Sequence, residues 1–192
     1  MARRWKVFVA VNALLLTAAA GLAWHGLTRH ARANQRRQQL QEARRLLAAG
    51  QAARAQAVAD ALLQQGPPTA EAYSLRGWAR FRQGQLQGAV SDFDAAVILD
   101  ARHADAYAGR GLAHAQADRP RAALADLARS LQLQPDQPLL LLAAGQLHAA
   151  AGREAQAIEA LKKALQLDPD LHDARSLLGQ LTAPPATAPA GR

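Results

Sequence analysis

The sequence predicts an all-α protein, an array of stacked helical hairpins carried behind one N-terminal transmembrane helix. Three observations lead there. "AYSLRGWARFRQG" at Ala72–Gly84 returns as "AYAGRGLAHAQAD" at Ala106–Asp118, a shift of 34 residues. Residues 7–27 form a run of 21 residues without a formal charge. The remainder is built from Ala, Leu, Gln and Arg with only 4% aromatics, a composition that favours helix over strand. A strict period of this size marks stacked supersecondary units, because one helical hairpin cannot bury its apolar face alone.

The N-terminal elements set the topology. Residues 1–6 form a basic tail with Arg3, Arg4 and Lys6, followed by "VFVAVNALLLTAAAGLAWHGL" at 7–27. A helix of that length spans about 30 Å at 1.5 Å per residue, the thickness of a bilayer's hydrocarbon core. Trp5 and Trp24 stand near its two ends, where indole rings prefer the interface. A cleaved signal peptide is the competing reading, with small residues at Ala18–Ala20 or Gly21–Ala23 as its cleavage site. The apolar run exceeds a typical h-region of about 7–15 residues, which favours an uncleaved signal anchor. The N-terminal charges favour an inside N-terminus with the bulk of the chain outside. In a bacterium that is the inner membrane with a periplasmic domain; a cytoplasm-facing domain is the alternative.

Charge supports the lipid reading and weighs against nucleic acid. The formal charge of +8 is concentrated in residues 1–37, which hold seven basic residues and no acid. The other 155 positions carry 16 basic and 15 acidic residues, so the folded part is nearly neutral. A nucleic-acid-binding domain keeps its excess charge on the fold. There is no Cys, hence no disulfide framework and no thiolate metal site.

After a basic juxtamembrane segment at 28–35 the period gives units 36–69, 70–103, 104–137 and 138–171. The eighth position carries Ala43, Gly77, Gly111 and Gly145. The fifteenth carries Gly50, Gly84, Asp118 and Gly152, and the twentieth Ala55, Ala89, Ala123 and Ala157. Each unit reads as a helix, a turn at the fifteenth position and a second helix, with a break near Pro67, Pro135 or Pro169. The small eighth and twentieth residues let the two helices of a unit approach closely. Asp118 is expected to cap the helix that Pro120 opens. A partial copy at 172–181 reads as a C-terminal capping helix, and the Pro/Ala tail 182–192 as disordered.

Arg76 and Arg110 at the seventh position accompany Asp92 and Asp126 at the twenty-third; the fourth unit has Ala144 and Ala160. Charges present or absent together predict ion pairs, Arg76 with Asp92 and Arg110 with Asp126, or one step along the stack. His114 and His148 fall one repeat apart, but no third ligand accompanies them, so no metal site is expected. No nucleophile elbow, HExxH or phosphate loop occurs either. The sequence implies no enzyme activity, no cofactor and no small-molecule substrate.

These residues resemble the tetratricopeptide repeat (TPR) family. The matches are Tyr73, Gly77, Ala89 and Phe93; Tyr107, Gly111, Ala123, Leu127 and Pro135; and Leu141, Gly145, Ala157, Leu161 and Pro169. The first unit is degenerate, lacking the aromatics and the eighth-position Gly. The resemblance implies a concave groove, lined by the first helix of each repeat, that holds a partner's peptide or helix. Its positions here are Glu71, Ser74, Trp78, Phe81 and Arg82; Asp105, Ala108, Leu112, Ala115 and Gln116; and Leu139, Leu142, Gln146, Ala149 and Ala150. Two readings of Trp78 and Phe81 stay open, groove contact or packing against the first unit. The function this implies is a membrane-tethered scaffold that recruits a protein partner during assembly or maturation of a cell-envelope complex.

Overall fold

The computed structural model describes residues 31–183, and within them every regular element is a helix. The expected transmembrane helix at 7–27, the basic tail before it and the tail from 184 onward lie outside the described residues. None of the described helices is long and apolar enough to cross a membrane. Helix α1 covers residues 31–48, so residues 31–35 of the expected juxtamembrane segment are continuous with the first repeat helix. There follow α2 (Ala52–Gln64), α3 (Ala70–Arg82), α4 (Leu86–Leu99), α5 (Ala104–Gln116) and α6 (Pro120–Leu133). Helices α7 (Pro138–Ala150), α8 (Glu154–Leu167) and α9 (His172–Thr182) complete the array.

Tight turns join the helices of each hairpin. Gly50, Gly84 and Gly152 have φ of 73°, 74° and 67°, left-handed values that a residue without Cβ adopts freely. Asp118 takes the same place at φ 54°. The expectation that Asp118 caps α6 is therefore corrected. It terminates α5, while Arg119 occupies the N-cap without a side-chain bond and Pro120 opens α6. Between hairpins, Thr69 caps α3, its Oγ1 accepting from the Ala72 amide at 3.3 Å.

Packing follows the small-residue pattern. Ala43, Ala55, Ala89, Ala123 and Ala157 are all fully buried, so the paired helices meet nearly backbone to backbone. The large side chains that fill the remaining space are Phe93, Leu127 and Leu161, each at 0% exposure. Such side chains contribute roughly 1.5–3 kcal/mol apiece through burial. Phe93 reaches furthest. A Cβ on Gly77 would stand 2.8 Å from its ring, and one on Gly109 would collide with it outright. Gly109 thus seats the third hairpin on the second, a role its sequence position did not reveal.

The first hairpin packs as fully as the others despite its degenerate pattern. Ala43, Leu46, Leu47, Ala55 and Ala59 form one buried cluster with Leu75 and Ala79 of α3. Successive first helices α3, α5, α7 and α9 touch one another, whereas the second helices α4, α6 and α8 do not. The stack therefore curves with the first helices on its concave side.

Candidate partner-binding groove

The concave side opens into a cleft of about 370 Å³ between α1, α3 and the start of α5. Its walls bring together five of the expected groove residues, Glu71, Ser74, Trp78, Arg82 and Asp105, and add Arg44, Leu47, Leu75 and His103. Asp105 organises this wall. One carboxylate oxygen accepts from the Ser74 hydroxyl at 2.7 Å and from the Trp78 indole N–H at 2.9 Å. Two residues of α3 are thereby tied to the first turn of α5. Across the cleft Arg44 pairs with Glu71 at 2.7 Å, with the Arg44 side chain 64% exposed. Arg82, at the end of α3, is exposed.

Trp78 belongs to both readings that its sequence position left open. It lines the cleft, and it also packs against the buried clusters of the first, second and third hairpins. Its ring stands edge-on to Phe81 at 5.7 Å and to Phe93 at 5.6 Å. Phe81 itself packs on the cluster of Ala89, Phe93, Ala96 and Ala106. Ser74 is 1% exposed, so its side chain serves the wall rather than its surface.

Farther along the concave side the expected residues divide. Gln116 and Gln146 are exposed, as is Leu139 at 65%, while Leu112 is half-buried beside Leu127 and Leu140. Ala115 and Ala149 are partly covered, Ala150 is exposed and Ala108 is buried. Leu142 departs from the expectation. It is buried against Leu161 and Ala174 where α9 closes the stack, because the last hairpin needs an apolar residue to meet its cap.

Behind the groove, the paired charges form a ladder through the stack. Arg76 donates to both oxygens of Asp92, with Nη2 at 2.7 Å from Oδ1, and its Nη1 reaches Asp60 of the preceding hairpin at 2.9 Å. Arg110 repeats this with Asp126 at 2.7 Å and Asp94 at 2.6 Å. Each guanidinium therefore bridges both alternatives that the sequence offered, its own hairpin and the one before. Hydrogen bonds, to Asp92 and Asp126 foremost, hold the two guanidinium groups above their ordinary pKa against the cost of burial. The Asp60 and Asp94 partners are not among the sequence-expected pairs, although they recur at the twenty-fifth position as the other acids do at the twenty-third. Arg80 also joins Asp92 at 2.8 Å, and His114, its equivalent, places Nε2 3.9 Å from Asp126. His148 has no such acid; burial and then Arg153 push its pKa down, and its Nδ1 has no hydrogen-bond partner. Among the described residues no three His, Asp or Glu side chains converge at metal-ligand spacing.

Comparison with known proteins matches this architecture. Residues 40–108 and 75–138 fit one family model and residues 138–181 another, both described as tetratricopeptide repeat. Among solved structures, one reported in a functional characterisation of Pseudomonas aeruginosa pilF superposes at a TM-score of 0.69. It is 20% identical and covers 76% of this chain and 67% of its own. YrrB, described as a TPR protein with an unusual peptide-binding site, gives 0.60 at 20% identity, covering 70% and 69%. The first TPR of Spaghetti (RPAP3), bound to the HSP90 peptide SRMEEVD, gives 0.56 at 18% identity, covering 58% and 89%. At these identities the likeness is one of fold. No curated protein matches the sequence.

Proposed function

The chain belongs to the tetratricopeptide repeat family, and from that premise we propose that it is a non-catalytic scaffold. It holds a peptide or helix of a protein partner in the concave groove. The observation that carries this reading is the cleft of Glu71, Ser74, Trp78, Arg82 and Asp105. Its walls are fixed in advance by the Asp105 hydrogen bonds, so a partner meets an aromatic edge and charges already in place. Preorganisation of this kind lowers the entropic cost of association. Trp and Arg are also the side chains that most often dominate binding energy. Two neighbours of the same fold are described with a peptide or a peptide-binding site, which supports the class of ligand.

The tether belongs to the same proposal. Residues 7–27 anchor the protein in a bacterial inner membrane and residues 31–183 stand on the periplasmic side, where the partner is a component of an envelope complex under assembly or maturation. Site-specific crosslinking from Gln116 in intact membranes tests the groove. One partner band should appear with the native chain, weaken with Arg82→Glu and Trp78→Ala, and persist with Arg121→Glu on the outer helix α6. Equal bands in all variants would place the partner elsewhere. Alkaline phosphatase fused to the C-terminus, active only outside the cytoplasm, reads the orientation.

A further inference from the structure

We propose that the junction between the third and fourth hairpins is a hinge, about which α7, α8 and α9 turn relative to the hairpins before them. Three features set it apart from the junction between the second and third hairpins.

The first is the loss of the charge ladder. Arg76 fastens the second hairpin to the first through Asp60, and Arg110 fastens the third to the second through Asp94. The equivalent positions at the next junction are Ala144 for the arginine, Ala128 for the acid of the preceding hairpin and Ala160 for the acid of its own. Three charged side chains are replaced by three methyl groups. The space stays open as a gap of about 280 Å³, lined by Ala and Leu side chains and His148 of α6 and α7 and, on the α8 side, by Ala160 with the longer Gln156, Glu159 and Lys163.

The second is packing. Helices α6 and α7 share less contact with each other than α2 and α3 or α4 and α5 do. At the junction before, the Phe93 ring presses into the space left by Gly109; here Ala143 stands where Gly109 does and Leu127 where Phe93 does. The third is the connecting segment. Asp100 and Asp168 fold their connections by accepting from the Arg102 and Asp170 amides at 2.9 and 3.0 Å. Gln134 occupies that position at the third junction. What bridges the connection is one side chain, Gln137, whose Nε2 donates to the Gln134 carbonyl at 2.8 Å and to Ser130 at 3.2 Å.

Directional hydrogen bonds to a planar guanidinium fix an angle, whereas contacts among Ala and Leu tolerate small sliding. The fourth hairpin carries Leu139 and Gln146 on the concave side, exposed and remote from the Trp78 cleft. Turning about this junction changes the span between the two halves of that surface. Such turning is independent of what the groove binds.

The described residues contain no Cys, nor does the rest of the chain, so labels can be placed singly. Gln87, Arg121 and Ala155 occupy the same exposed position in three successive hairpins. Spin-label distances on the detergent-solubilised full chain compare Gln87→Cys/Arg121→Cys, across the fastened junction, with Arg121→Cys/Ala155→Cys, across the proposed hinge. The second distribution should be the broader of the two. Adding Ala128→Asp, Ala144→Arg and Ala160→Asp should narrow it to the width of the first. Equal widths in the unsubstituted chain would overturn the proposal. So would an unchanged width in a triple variant of native helix content. If the triple variant misfolds, the comparison within the unsubstituted chain decides alone.

Discussion

Removing the Asp92 carboxylate tests the charge ladder at its most buried point. Asp92 is 2% exposed and accepts from Arg76 through two nitrogens and from Arg80 through a third. In Asp92→Ala both guanidinium groups lose that partner while remaining largely covered, at 20% and 25% side-chain exposure. Arg76 keeps Asp60 at 2.9 Å, so its loss is partial; Arg80 keeps only a weak contact to the Gly88 carbonyl at 3.4 Å. Breaking a buried ion pair from one side costs about 3–5 kcal/mol, and the retained Asp60 contact places Asp92→Ala near the lower end. The double variant Arg76→Ala/Asp92→Ala reproduces the Ala144 and Ala160 pair of the fourth hairpin. It should therefore cost less than the two single changes added together, with a coupling of about 1–3 kcal/mol. Guanidinium unfolding of the four chains of this cycle, followed by far-ultraviolet circular dichroism, gives the coupling directly. Additive losses would show that the charges are solvated independently and that the ladder contributes nothing.

Two further perturbations separate packing from electrostatics. Gly109→Ala should destabilise by about 1–3 kcal/mol, since the added methyl meets the Phe93 ring, and Phe93→Leu in the same chain should recover part of the loss. Denaturation midpoints of the single and double variants check this, and a harmless Gly109→Ala would refute the seating role. The His148 effect appears in acid. Its pKa is lowered in the fold, chiefly by burial, so the unfolded chain takes up a proton first as pH falls. The share of stability due to His148 is complete above about pH 6.5 and declines as pH drops below that value toward the lowered folded pKa. His148→Gln should flatten the pH dependence of the unfolding midpoint in this window; an identical slope would remove His148 from the account.

The periodic features of the fold were legible because each makes one residue type necessary at one spacing. Alanine at the twentieth position is read without a structure, since any larger side chain would hold two helices apart, and all four copies are buried. The Arg76–Asp92 and Arg110–Asp126 pairs were legible through their joint absence from the fourth unit. Features that occur once were not. Gly109 looks like any helix-weakening glycine until Phe93 is seen against it. Asp118 looks like a cap because it precedes Arg119 and Pro120, yet its backbone substitutes for glycine at the turn. Leu142 shares the fifth position with Ser74 and Ala108, but only the last hairpin meets a cap, which draws that residue inward.

The groove shows the same division between what repeats and what does not. A family position states where a side chain leaves the helix; its neighbours decide whether it faces a partner. Trp78 has clusters from three hairpins around it and one polar atom, which is bonded to Asp105. It is therefore wall and surface together, and no spacing rule could divide the two. Arg82, with its side chain exposed one turn farther on, separates them experimentally. A charge reversal there leaves the aromatic wall standing, so lost partner contact with retained stability would belong to the surface alone. Loss of both together would instead mean that Arg82 supports the fold, and the groove would have to be sought around Leu139 and Gln146.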